Sequence, residues 1–177
     1  MDKIPFSLDI PKMGYFILVR NKGGFFGNGI QEEQLKRGYP LFQAQYEHVG
    51  VSGGGQWLVD VAPPKAKVTD LIKGYKGRYI CIVRYKDSVY EQSKRYKVAF
   101  WAASNCNLDY DYFGVLRFKF KFLFGLRTSW FCSENSLWAL KKEFPLALNK
   151  RPEDCMPADF LNSQYFEIVW EGVLDDF

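Results

Sequence analysis

The chain has 177 residues, 47% of them hydrophobic and 18% aromatic, which suits one globular domain with a full core rather than two domains. This composition excludes a disordered chain, because enough apolar surface exists to offset the entropy of ordering. Apolar runs are broken by Lys or Arg short of the ~20 residues that a bilayer-spanning helix needs, and a net charge of +4 without any Lys/Arg block gives no support to a nucleic-acid partner.

In chain order, Met1-Asp2-Lys3-Ile4-Pro5 lacks the features of a secretory signal, so a cytoplasmic location is expected. Gly14 to Arg20 is an apolar run of strand length. Asn21 to Gly29 reads as a Gly-rich loop without a phosphate-cradle pattern, and Ile30 to Arg37 as a short surface helix. Tyr46–Ser52 and Gln56–Val61 read as strands of a hairpin that turns at Gly53-Gly54-Gly55. Arg78 to Tyr85 reads as another strand, and Glu91 to Ser104 as a helix. Tyr110 to Leu126 fits either state. Cys132 to Phe144 reads as a helix ended by Pro145, and Tyr165 to Trp170 as a final strand.

Four cysteines stand at positions 81, 106, 132 and 155. None forms a CxxC pair and only one histidine is present, so neither a zinc site nor another cofactor is expected. A disulfide framework is not expected either, and the simplest reading is four reduced thiols. Cys81 belongs to an apolar strand and reads as core; Cys106 and Cys155 fall in loop-like segments and stand as weaker nucleophile candidates.

In the hairpin, alternation places Tyr46, His48, Gly50 and Ser52 on one face and Val49 and Val51 on the other. A turn centred on Gly54 sets His48 opposite Asp60, with Cβ atoms roughly 4.5–5.5 Å apart. A carboxylate at that distance holds one imidazole nitrogen and leaves the other as the acceptor a general base needs. Two readings stand: a structural histidine with Asp60 turned to water, or a base with its orienting acid. A one-residue slip would separate the two faces. His48 is the only histidine, so an imidazole base has no other candidate.

The second segment is Thr128-Ser129-Trp130-Phe131 leading into Cys132-Ser133-Glu134. Thr128 or Ser129 is a candidate helix cap, and Glu134 suits the positive end of the helix. Cys132 then lies at the helix start, where backbone N–H groups stabilise a thiolate and an oxyanion on a bound carbonyl. The alternative is a buried structural thiol. Cys132, Ser136 and Ala139 form a small-residue stripe suited to close approach to a sheet face, expected to be the one carrying His48. Leu137, Leu140 and Phe144 form the adjacent apolar stripe.

Taken together, these segments resemble the circularly permuted papain-like enzymes of the NlpC/P60 superfamily, with YiiX/YebB-type proteins the best match. The resemblance rests on Gly14-Tyr15-Phe16-Ile17-Leu18, Tyr46-Glu47-His48-Val49-Gly50-Val51, Asp60, Tyr110-Asp111-Tyr112, Phe131-Cys132-Ser133-Glu134 and the Pro-containing tail, Arg151 to Asp154 and Pro157 to Phe160. It spans roughly residues 14 to 170, and His before Cys is the permuted order. Tyr15 departs from the usual Asp, and Asp60 stands where Glu is common. The resemblance implies an α+β fold with a small antiparallel sheet or barrel packed on the cysteine helix. It implies Cys132 as nucleophile, His48 as base and Asp60 as orienting residue, with Tyr46 and Ser133 as candidates for substrate or oxyanion binding.

A long aromatic-basic insert, Phe113 to Phe124, also sets the chain apart. It reads as a core or wall helix, as a strand or amphipathic interface, or as a lid or groove for an acyl chain or membrane surface. The implied function is a thiol hydrolase acting on a peptide, cell-wall-type or other amide. The alternatives are a lipid-ester hydrolase or acyltransferase of the same fold and a non-catalytic binding domain. Action on cell wall outside the cell would need delivery by a phage or another export route.

Overall fold

A computed structural model describes residues 5–86, 92–111 and 130–175. The described residues form an α+β fold. The strands β1 (Phe16–Arg20), β2 (Tyr46–Gly54), β3 (Trp57–Ala62), β4 (Lys65–Asp70), β5 (Tyr79–Tyr85) and β6 (Phe166–Val173) make one antiparallel sheet in the order β4-β3-β2-β1-β5-β6. The helices are α1 (Phe25–Lys36), α2 (Leu41–Ala44), α3 (Leu71–Tyr75), α4 (Gln92–Ala103) and α5 (Cys132–Glu143). Short 3-10 turns over Ala147–Asn149, Pro152–Asp154 and Pro157–Leu161 lead into β6.

The central strand β1 is buried on both faces. Phe16 and Leu18 pack with Val49, Val51, Val59, Cys81 and Val83, and with Leu137, Ala139 and Leu140 of α5. Tyr15, Ile17 and Val19 pack on the other side with Leu58, Leu71, Ile80, Ile82 and Trp170. A strand covered on both faces needs a continuous apolar run, and FILV supplies it. No helix among the described residues is long and apolar enough to cross a membrane.

Three local expectations change. The hairpin turn is one step later than expected: β2 runs on to Gly54, and the turn is Gly55-Gln56. Gly54 and Gly55 both take positive φ, 93° and 58°, which a glycine adopts without steric cost. The β2–β3 pairs are therefore Val51↔Val59, Ser52↔Leu58 and, past an irregularity, Gly54↔Trp57. The Gly-rich loop also ends early, because α1 begins at Phe25 and contains Gly27 and Gly29. A Cβ at Gly27 would stand 1.8 Å from Glu47 Oε2, so the glycine lets the helix approach that carboxylate. Finally, the apolar patterning used to read strands passes over β4, whose burial is intermittent, and over the short α3. Residues 113–124, Tyr112, Thr128 and Ser129 lie outside the described residues.

α1 is mostly polar, yet it buries Gln34 completely. The Gln34 amide nitrogen donates to the carbonyls of Ala44 (2.8 Å) and Tyr46 (2.9 Å), and its oxygen accepts from the Ala158 N–H at 2.8 Å. One side chain thus ties α1, the entry to β2 and the Pro157–Leu161 turn. Replacing Gln34 with Leu strands three backbone groups in the interior, each worth ~1–3 kcal/mol when unsatisfied. Urea unfolding of Gln34→Leu is expected to show a lower midpoint, corresponding to a loss of several kcal/mol of stability. A midpoint equal to that of the parent would show that these groups find other partners.

Candidate functional site

The site begins with an irregularity in β2. Val19 pairs with His48 but Arg20 pairs with Tyr46, so Glu47 is an extra residue on the β2 side. Arg78 binds the Glu47 carboxylate at 2.7 Å and also donates to the Arg20 carbonyl, which fixes the bulge where β1, β2 and the entry to β5 meet. The extra residue reverses the alternation. His48 keeps the face of Val19, Gly50 and Ser52, while Tyr46 turns to the other side. This corrects the expected Tyr46–His48 face. Tyr46 is 2% exposed among Phe16, Leu18 and Cys81, and burial, then the neighbouring Cys81, pushes its phenol well up.

His48 lies beyond the last paired residues of β2 and β3. The pairing is shifted by two residues from the expected register, so Asp60 is a diagonal neighbour of His48 rather than its direct partner. A shift of two preserves the face. His48 Nε2 and Asp60 Oδ1 are 2.7 Å apart. Asp60 is 4% exposed, and its second oxygen accepts a 2.9 Å hydrogen bond from the Tyr75 hydroxyl. The Tyr75 ring also stacks on His48, with centroids 6.0 Å apart and planes 19° apart. Tyr75 carries no sequence signal of its own, since it ends a five-residue helix that apolar periodicity does not reveal.

Cys132 is the first residue of α5 and is 3% exposed. The N-cap position is Phe131, which makes no side-chain cap bond. The helix is held on several sides. Ser133 Oγ donates to the Cys155 carbonyl at 2.7 Å, so its hydroxyl is committed to the fold. Asn135 accepts from the Asn105 side chain at 2.7 Å and donates to the Ala102 carbonyl, fixing α5 to α4. Just before the helix, Trp130 bridges Tyr110, and the Asp111 N–H donates to the Trp130 carbonyl at 2.9 Å. The body of α5 packs with Val49 and Val51, so it covers the sheet face opposite to the one assigned to His48. Its first residue, Cys132, is the part of the helix that acts on the imidazole, by charge and hydrogen bonding.

The electrostatics tie these groups together. Burial works against a charged His48, but the charges of Cys132 and Asp60 and their hydrogen bonding outweigh it and hold the imidazole well above its ordinary value. Burial likewise works against a charged Asp60, yet His48, the Tyr75 hydroxyl and Lys67 hold its carboxyl below the usual range. Burial governs the thiols of Cys81, Cys155 and Cys106. Burial, followed by Glu171, pushes Cys81 up to about 12; burial, followed by Asp159, pushes Cys155 well up; burial alone raises Cys106. Among the described residues no group of three His, Cys, Asp or Glu side chains is placed to hold a metal ion. No protein-family model matches the chain, and no curated protein matches it.

These shifts set a pH window for stability. The raised His48 contributes fully below its unfolded value of about 6.5 and loses its contribution as pH rises through the folded value. The lowered Asp60 contributes fully above its unfolded value of about 3.8 and loses its contribution as pH falls through the folded one. The stability gap between the parent and Asp60→Asn is therefore expected to be widest between about pH 4 and 6.5, narrowing on both sides. Urea unfolding across that range checks it; a gap independent of pH would mean that the pair is not charged in the folded chain.

Proposed function

We propose that this chain is a cysteine hydrolase that cleaves an amide bond through Cys132, His48 and Asp60. The observation that carries the reading is the imidazole held at Nε2 by a buried carboxylate, with the thiol at a helix N-terminus acting on the same ring. With Nε2 engaged by Asp60, Nδ1 is left to take the Cys132 proton. The thiolate then attacks the carbonyl carbon, and the first-turn N–H groups of α5 stabilise the oxyanion. The imidazolium protonates the leaving amine as the C–N bond breaks, leaving a thioester on Cys132. Water, deprotonated by His48, attacks the thioester, releases the acid and restores the thiol.

The order His48, Asp60, Cys132 and the α+β sheet with the cysteine on a packed helix support membership of the permuted papain-like class. Tyr46, turned into the core, and Ser133, whose hydroxyl is spent on Cys155, are better suited to holding the scaffold than to touching substrate.

Iodoacetamide labelling followed by mass spectrometry tests the thiol directly. Cys132 is expected to react at least about tenfold faster than Cys106 or Cys155 near neutral pH, since the thiolate is the reactive form. Labelling no faster than at those two positions would remove the enzyme reading altogether. Fluorogenic peptide amides and 4-nitrophenyl acyl esters then separate the chemistries. Amide turnover that disappears in Cys132→Ala is the expected result. Turnover of esters only, lost in the same variant, would replace the amide reading with a lipid-type one.

A further inference from the structure

We infer that Tyr75 is a positioning residue of this site, fixing the carboxylate of Asp60 and backing the ring of His48 so that the two keep one mutual geometry. The inference rests on the thiol-hydrolase reading and extends it to a residue that no motif of the sequence marks.

A buried carboxylate held at one oxygen can still rotate about its Cβ–Cγ bond, carrying the imidazole with it. Asp60 is held at both, with Oδ1 on His48 Nε2 at 2.7 Å and Oδ2 on the Tyr75 hydroxyl at 2.9 Å. The near-parallel Tyr75 ring limits tilting of the imidazole. Tyr75 is itself well fixed. Asp70 caps α3 by accepting from the Lys73 N–H at 3.0 Å, Leu71 is fully buried beneath the helix, and the Tyr75 carbonyl accepts from the Arg78 N–H at 2.9 Å. Arg78 in turn holds the Glu47 bulge next to His48. Thus both flanks of the imidazole, its strand and its carboxylate, are set by the stretch from Asp70 to Arg78. Burial pushes the Tyr75 phenol far up, followed by the charge of Asp60, so the hydroxyl keeps its proton and remains a donor at any working pH.

The test measures iodoacetamide labelling of Cys132 against pH in the parent, Tyr75→Phe, Tyr75→Leu, Asp60→Asn and the Tyr75→Phe/Asp60→Asn double variant, with thermal midpoints recorded for each. Tyr75→Phe keeps the stacked ring and loses only the donor. It is expected to label roughly tenfold more slowly, as loss of one hydrogen bond to a charged group allows. The acid limb of its profile should move to higher pH, because a carboxylate deprived of a donor protonates more readily. Tyr75→Leu should share that shift and serves if the Phe variant does not fold. The double variant should be no slower than Asp60→Asn alone. A Tyr75→Phe protein that melts lower but matches the parent in rate and pH profile would overturn the inference and leave Tyr75 a structural residue. If parent Cys132 itself labels no faster than Cys106, it is the hydrolase reading that fails.

Discussion

The hydrogen bond between His48 and Asp60 is the interaction on which the site depends. It joins two strands just where their backbone pairing has ended, so a side-chain contact takes over from the ladder. A buried carboxylate costs several kcal/mol unless it is paired and hydrogen-bonded. Here the imidazole and the phenol of Tyr75 meet that demand together. The arrangement makes sense only if the ring can carry a proton, and the thiol at the start of α5 supplies a second reason for it to do so.

The scaffold serves this contact from both sides of the sheet. One apolar layer seats α5 against Val49 and Val51 and thereby sets the height of Cys132; the opposite layer seats Leu71 and with it Tyr75. The two sets of groups meet where β2 parts from β3. The Glu47 bulge rotates the strand so that His48 and Tyr46 part company, one to the site and the other to the core. An ion pair with Arg78 and a glycine in the facing helix accommodate the extra residue.

Part of this was legible in the sequence because of a symmetry of strands. Side chains repeat every two residues, so the two-residue error in the hairpin register left His48 and Asp60 on one face and still in contact. The helix at Cys132 is legible because its small and apolar residues Cys132, Ser136, Leu137, Ala139 and Leu140 recur at helical spacing up to Pro145; Ser133 and Asn135 are buried as well, through polar bonds that this spacing does not signal. Tyr46 was misplaced because a bulge has no reliable signature in residue types. It is held by Arg78, thirty-one positions from Glu47 in sequence. Gln34 and Tyr75 were missed for the same reason. Each is a polar group in or near a short or polar helix, and its importance comes from partners that only the tertiary fold assembles.

The single histidine makes the central claim open to one direct measurement, the titration of the His48 ring by NMR in the parent and in Cys132→Ala. If thiol and imidazole are partners, the parent ring keeps its proton well above the ordinary histidine value of about 6.5, and deleting the sulfur lowers that midpoint. An identical midpoint in the two proteins would mean that Cys132 exerts no charge on His48, and the catalytic pairing would be refuted.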